Sequence, residues 1–267
     1  MTLKVTILGC GSSTGVPRIG GDWGACDPNE PRNRRTRCSL LVERWENDPE
    51  KKTTVLVDTS PDMRQQLIDA EVKWIDGVLF THDHADQSHG IDDLRQVALF
   101  GRRRIDVWMD ARTRNTLGRR FDYCFTQTSV GYPAILNAHD ITLGNSIKVD
   151  GAGGVIEAVP YDQDHGSMRS LGFRFGPVAY SADVVGFPEE SLSLLEGIEC
   201  WILDALRYAP HPTHAHVAQS LQWIARIKPR LGILTNLNIE LDYRRLASEL
   251  DEGVLPAHDG LSVTFET

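Results

Sequence analysis

The chain has 267 residues, 41% of them hydrophobic, enough to bury a full core, and a formal net charge of -9. That acidic balance excludes a protein whose main work is coating nucleic acid, because neutralising phosphate needs an excess of Lys and Arg. A charged fraction of 24%, 23 glycines and no low-complexity tract exclude a disordered chain, and no apolar run is long enough to span a membrane.

Residues 4–8 alternate and read as a first strand rather than as the apolar region of a signal peptide. The five cysteines, Cys10, Cys26, Cys38, Cys124 and Cys200, are scattered and form no CxxC pair, a pattern of reduced thiols. A cytoplasmic location is therefore expected. After the first strand comes a loop of small residues, Gly9-Cys10-Gly11-Ser12-Ser13-Thr14-Gly15, which lacks the Lys of a P-loop and is broken by Val16-Pro17. Residues 18–37 show no periodicity. They contain a basic run, Arg32, Arg34, Arg35 and Arg37, that reads either as a solvated loop or as a phosphate-facing one.

Strands are predicted at 38–43 and 53–58, with a turn at Asn47-Asp48-Pro49 between them. Thr59-Ser60-Pro61-Asp62 reads as a helix cap with Pro at the first helical position, ahead of an apolar face of Met63, Leu67 and Ile68. A strand at 77–81 completes a strand–helix–strand unit. Helices follow at 91–100 and 111–121 around a strand at 105–109, then short strands over 135–160 and a hairpin at 173–180 turning at Gly176-Pro177. The remainder alternates: helix 189–195, strand 201–204, helix 217–227, strand 231–234, helix 243–250 and strand 261–265. Both halves run strands first and then alternate with helices. That order predicts one α+β domain over residues 1–267, two mixed β-sheets packed face to face with helices outside, an αββα sandwich.

The chemistry concentrates in Thr81-His82-Asp83-His84-Ala85-Asp86, directly after the apolar run Gly77-Val78-Leu79-Phe80. His82, His84 and Asp86 fall at every second position, so an extended chain presents all three on one side. Two imidazoles and a carboxylate suit a divalent metal with nitrogen and oxygen ligands. His165 and Asp183 stand where later strands end and add donors of the same kind.

Asp58, the HxHxD core at His82, His84 and Asp86, and then His165 and Asp183 together resemble the metallo-β-lactamase fold superfamily, and within it the PhnP-type phosphodiesterases, which open cyclic ribosyl phosphates. The likeness extends to Gly9-Cys10-Gly11-Ser12-Ser13, to Gly90-Ile91-Asp92-Asp93-Leu94-Arg95 and to Asp259-Gly260. It implies that one metal takes His82, His84 and His165, that a second takes Asp86, and that Asp183 bridges both. Gln87 and Asn236 stand where the family has histidines. Their neutral carbonyl oxygens are weaker donors to zinc and better matched to a harder ion such as manganese. One or two divalent metals per chain, zinc or manganese, are expected, the second held weakly. His89 and His258 are expected to support the site or lie on the surface. Relatives of this type carry a structural zinc on clustered cysteines; only Cys26 remains in the comparable loop, and no such zinc is expected.

The implied reaction is hydrolysis of a small cyclic or nucleotide-like phosphodiester through metal-activated water, with Asp86 and Asp183 placing the water. His214 matches in position the general acid of PhnP-like enzymes, with His211 and His216 as competitors. Arg95 either holds substrate phosphate or pairs with Asp92 or Asp93. Two other functions use the same fold: hydrolysis of an ester, thioester or lactone, and nucleotide binding by a catalytically silent member. The expected partner is a small phosphorylated substrate, with no large nucleic acid and no membrane, and the resemblance points to a homodimer.

Overall fold

A computed structural model describes residues 1–127 and 129–266. Its strands are β1 (Thr2–Gly9), β2 (Ser39–Trp45), β3 (Thr53–Val57), β4 (Gly77–Leu79), β5 (Ile105–Met109), β6 (Leu136–Asp140), β7 (Ile147–Val149), β8 (Ile156–His165), β9 (Met168–Phe175), β10 (Val178–Ser181), β11 (Cys200–Asp204), β12 (Leu231–Thr235), β13 (Val254–Pro256) and β14 (Ser262–Glu266). The helices are α1 (Met63–Asp69), α2 (Ala85–Ser88), α3 (Leu94–Gly101), α4 (Ala111–Arg120), α5 (Asp122–Phe125), α6 (Glu189–Ser193), α7 (Val217–Ile227) and α8 (Tyr243–Glu249). Two mixed seven-stranded sheets result, in the orders β14-β1-β2-β3-β4-β5-β6 and β13-β12-β11-β10-β9-β8-β7.

The chain divides into two compact units. The first comprises Met1–Leu8, Ser39–Glu157 and Ser262–Thr267; the second comprises Gly9–Cys38 and Ala158–Leu261. In the first, β3, β4, β5 and β6 are parallel, and β3 and β4 are buried along their whole length. Parallel strands covered on both faces read as continuous apolar runs, which is why Val55-Leu56-Val57 and Val78-Leu79-Phe80 were legible. Their side chains join Met63, Leu67, Leu94, Ala98 and Leu117 from the helices in one core. In the second unit, β10, β11, β12 and β13 are parallel, around a core containing Trp201, Leu203, Leu234, Val217, Ile224 and Leu246.

Three details depart from the predicted elements. Helix α1 begins at Met63, and Pro61 lies before it in a turn closed by Ser60, whose Oγ accepts the Asp62 N–H at 3.1 Å and whose carbonyl accepts the Met63 N–H at 2.9 Å. Ile68 faces solvent, and Gln66 takes the inward position because its Oε1 accepts a hydrogen bond from Ser60 Oγ at 2.9 Å. Strand β8 continues through Tyr161, Asp162, Gln163 and Asp164 to His165 and turns into β9, whereas the sequence reading ends it at Pro160. Tyr161, Gln163 and His165 alternate inward as a strand requires. Two of the three are polar, so hydrophobic periodicity does not reveal them. The hairpin of β9 and β10 forms as read, with Phe175 opposite Val178 across Gly176-Pro177.

Gly90 fixes the segment after the HxHxD stretch. A Cβ there would lie 2.1 Å from the Ser60 carbonyl oxygen, and its own N–H donates to the Thr59 carbonyl at 2.9 Å. The Gly90→Ala protein must push these two backbones apart, an overpacking cost of about 3 kcal/mol. A thermal midpoint lower by roughly 6–12 °C is expected in a melting curve, and an unchanged midpoint would contradict this packing.

Candidate metal centre

In the first unit the chain leaving β4 is held in place before it reaches any ligand. Asp58 follows β3 in the left-handed region, at φ 64°, and is fully buried. Its Oδ1 accepts the Thr81 N–H and its Oδ2 accepts the Thr81 hydroxyl, each at 2.8 Å. The hydroxyl has one proton and spends it on the carboxylate, so at its 2.9 Å contact with His82 Nδ1 it must accept. The His82 proton therefore sits on Nδ1, so Nε2 is the ring nitrogen that could coordinate a metal. This is the arrangement by which a supporting carboxylate orients a metal-binding imidazole. The His84 ring stands 4.6 Å from that of His82, and the His84 carbonyl accepts from Ser88 Oγ at 2.7 Å. Asp86 lies in the first turn of α2, half-exposed.

In the second unit the polar residues gather at one edge of the sheet. Strands β8 and β10 run the same way because each is antiparallel to β9, and β11 and β12 are parallel to β10. His165 ends β8, Asp204 ends β11, and Asp183 and Asn236 follow β10 and β12. Asp183 and Asn236 both have left-handed backbone, at φ 53° and 62°, which costs a non-glycine residue on the order of 1 kcal/mol and collects at functional sites. His165 Nδ1 donates to the Thr213 carbonyl at 2.7 Å, so Nε2 is the ring nitrogen that could coordinate a metal. Gly166 allows that approach: a Cβ on it would lie 2.5 Å from Thr213 Cγ2, and its φ is +72°. Ligand atoms of His165, Asp183 and His214 lie within 4.8 Å of one another, a donor set of two nitrogens and an oxygen that fits a divalent cation.

His214 has a partner that the sequence reading passes over. Its Nδ1 donates to Asp204 Oδ2 at 2.9 Å, and the same oxygen accepts the Val184 N–H at 3.0 Å. Asp204 is fully buried. The His214 ring packs against His165 at 4.8 Å and His211 at 5.2 Å, with Asp183 Oδ1 3.7 Å from its Nδ1. The Asn236 amide stands 3.2 Å from that nitrogen. The one signal for Asp204 was its place as the acid closing an apolar parallel strand, where open sheets expose functional groups.

The other candidates separate. Gln87 is buried, and its backbone carbonyl accepts the Thr59 N–H at 2.8 Å. Arg95 donates to Asp92 Oδ1 at 2.8 Å and lies over the Tyr123 and Tyr132 rings at 5.6 and 5.5 Å. His89 meets Phe121 edge-on at 5.5 Å, and His258 meets Tyr243 at 6.0 Å. His216 is the N-cap residue of α7. Burial holds the His211 ring below the usual histidine range. Of the basic loop, Arg35 is buried and donates to the Leu241 and Asn238 carbonyls at 2.7 and 3.1 Å. Arg32 pairs with Glu30, whose carboxyl it holds down at about 2. Both guanidinia have structural work that a solvated loop would not give them. All five cysteines are buried free thiols.

Residues 53–235 match the family described as the beta-lactamase superfamily domain. The chain belongs to the metallo-β-lactamase superfamily. A diphosphatase of the PhnP family, known by crystal structure, is 32% identical over 99% of this chain and 98% of its own, with a TM-score of 0.88. Zn(2+)-bound PqqB from Methylobacterium extorquens shares the metallo-β-lactamase fold at 19% identity, covering 97% of this chain and 99% of the other, with a TM-score of 0.70. An octanoyltransferase of Porphyromonas gingivalis is 29% identical over 99% of this chain; the chain spans about half, 52%, of that protein's length. The two mixed sheets with their helices are the α+β sandwich fold of the metallo-β-lactamase superfamily, a fold of hydrolases that bind divalent metal. Among the described residues no helix is long and apolar enough to cross a membrane.

Proposed function

We propose that the protein is a metal-dependent phosphodiesterase acting on a small cyclic or nucleotide-like phosphodiester. The observation that carries this reading is the buried Asp204 holding the His214 imidazole beside Asp183 and His165. Hydrolysis of a diester with an alkoxide leaving group needs a proton delivered to that oxygen, and an oriented imidazole supplies it. The PhnP-family diphosphatase, alike over the whole length, supports phosphate as the substrate chemistry.

By motif position, His82, His84 and His165 would hold one divalent cation and Asp86 a second, with Asp183 shared. A bound cation supplies Lewis acidity and a water that ionises near neutral pH. The chain's own part is to present Nε2 of His82 and of His165 by fixing the proton on each Nδ1, to keep the His214 ring oriented through Asp204, and to release the His214 proton to the leaving oxygen. Gln87 and Asn236 replace two imidazoles with neutral carbonyl donors. One cation is therefore held tightly and the second weakly, with manganese favoured over zinc at the weak site. Metal analysis of protein purified without added metal is expected to give about one equivalent per chain; two tightly held zinc ions would contradict the weak site. A homodimer in the cytoplasm is the proposed setting, consistent with the reduced thiols.

A second reading, hydrolysis of an ester or thioester, is favoured by the likeness to the Porphyromonas octanoyltransferase. Assays of bis(4-nitrophenyl) phosphate, cyclic nucleotides, lactones and acyl thioesters, each with zinc and with manganese, separate the two. Turnover of thioesters alone would overturn the phosphodiesterase reading, and absence of all turnover with nucleotide bound would replace it with a binding role.

A further inference from the structure

The loop that carries His214, residues 205–216, joins β11 to α7. Backbone bonds tie its two ends: the Leu206 N–H donates to the Ala215 carbonyl and the Val217 N–H to the Arg207 carbonyl, each at 2.9 Å. Side chains hold the stretch between. Arg207 donates through Nε to the Ala209 carbonyl at 3.1 Å and through Nη2 to the Pro210 carbonyl at 2.7 Å. His211 then turns back on its own chain, with Nδ1 3.3 Å from the Thr213 nitrogen and 3.2 Å from the Thr213 hydroxyl. A backbone N–H can only donate, so His211 Nδ1 accepts and the ring carries its proton on Nε2. A side-chain acceptor that captures the N–H two residues ahead makes an Asx turn, here with an imidazole in place of the Asn or Asp side chain. Pro212, between the two, fixes its own φ and has no N–H to compete for that acceptor. Thr213, held at its N–H and its hydroxyl, presents its carbonyl to His165 Nδ1 at 2.7 Å. That bond sets which nitrogen of the His165 ring is protonated. Gly166 lets the two segments close on each other, since a Cβ there would stand 2.5 Å from Thr213 Cγ2 and 3.1 Å from the Pro212 carbonyl oxygen.

We infer that His211 is a positioning residue: by accepting the Thr213 N–H it sets the Thr213 carbonyl that keeps the His165 proton on Nδ1, so that Nε2 is the nitrogen available to a metal. The inference rests on the proposed use of His165 as a ligand and not on the substrate. The His211 ring lies 5.2 Å from that of His214, close enough to suggest a second proton donor. Its Nδ1 is instead spent on the turn, and the two roles make opposite demands on a replacement.

Asparagine separates them. Its Oδ1 is one bond beyond Cγ, as His Nδ1 is, so His211→Asn keeps the turn, but a carboxamide delivers no proton. His211→Ala and His211→Phe both lose the acceptor, the second with a ring retained. Long-range ¹H–¹⁵N spectra of chelator-treated protein read the His165 tautomer with neither metal nor substrate present. The Nδ1–H form is expected to dominate in wild type and in His211→Asn, and to give way to a mixture in His211→Ala and His211→Phe. Zinc affinity, read by competition with a chromophoric chelator, is expected to fall about tenfold or more in these two, as on loss of a ligand's supporting partner, and to be kept in His211→Asn. An unchanged tautomer and affinity in His211→Ala and His211→Phe would overturn the inference, as would a His211→Asn protein no better than His211→Ala. Should the alanine and phenylalanine variants not fold, the asparagine variant decides alone. Kinetics supply a further arm: at saturating metal His211→Asn is expected to stay within about tenfold of wild type on a diester with an alkyl leaving group, where loss of a general acid costs about 10²–10⁴-fold. A loss of that size with tautomer and affinity intact would overturn the positioning role in favour of proton delivery. If no diester is hydrolysed at all, the phosphodiesterase reading fails, and the tautomer and zinc measurements still decide what His211 does.

Discussion

The His82→Ala protein is expected to purify with little bound metal and to lose hydrolysis by more than about 10³-fold, while its metal-free fold is kept. The imidazole is one of two on the HxHxD stretch, and its hydrogen bond to Thr81 fixes which ring nitrogen could coordinate. Asp58 takes the Thr81 hydroxyl proton, and the hydroxyl then accepts from Nδ1, so Nε2 is presented for coordination. Removing the ring leaves Asp58 with both of its bonds to Thr81. The midpoints of chelator-treated wild type and variant should therefore agree within a few degrees. Untreated wild type should melt higher, because a ligand bound only to the native state adds RT ln(1 + [L]/Kd) of stability. Thr81→Val is the graded companion. It keeps the ligand but removes its support, and a lost supporting partner costs about 10–100-fold in metal affinity. It also leaves a buried carboxylate short of one donor, at about 1–3 kcal/mol. Mass-spectrometric metal counts read both variants. A His82→Ala protein with full metal content would remove His82 from the metal site.

How far the site could be read from sequence follows from which residues carry a periodic or compositional signal. His82, His84 and Asp86 do, because alternation after an apolar run is visible in one dimension. The parallel strands β3, β4 and β12 do as well, because burial on both faces makes them continuously apolar. Asp204 does not: its meaning lies in a 2.9 Å contact with His214, ten residues away across a loop that has no regular pattern. Thr213 is silent for the same reason, since it acts through a backbone carbonyl that any residue possesses. The end of β8 is hidden in the sequence because its inward positions include Gln163 and His165, polar residues where a hydrophobic pattern would carry Val or Ile. The basic run at 32–37 carried a charge signal whose use could not be seen from sequence. Arg35 turned inward because the Leu241 and Asn238 carbonyls give a buried guanidinium the acceptors it requires.

Asp204 allows the proposed general-acid role of His214 to be divided into charge and orientation. Oδ2 accepts from both His214 Nδ1 and Val184 N, so an asparagine at this position can keep both bonds by placing its amide oxygen there. Its NH₂ then occupies the place of Oδ1, an atom with no hydrogen-bond partner among the described residues. Asp204→Asn thus removes the negative charge, retains the tautomer, and buries one unpaired donor at about 1–3 kcal/mol of stability. Asp204→Ala removes charge and orientation together, and the ring can then turn its proton away from the leaving oxygen. General acid catalysis is typically worth about 10²–10⁴-fold, so the alanine variant should lose a factor in that range on a diester with an alkyl leaving group. The asparagine variant should lose roughly a tenth of that factor or less. On 4-nitrophenyl esters both should stay within about tenfold of wild type, because nitrophenolate departs without a proton. This dependence on the leaving group identifies proton delivery, since a collapsed metal site would slow every substrate alike. Equal losses on alkyl and nitrophenyl diesters in Asp204→Asn would show that the buried carboxylate supports the fold or the metal, and that His214 receives its proton without it.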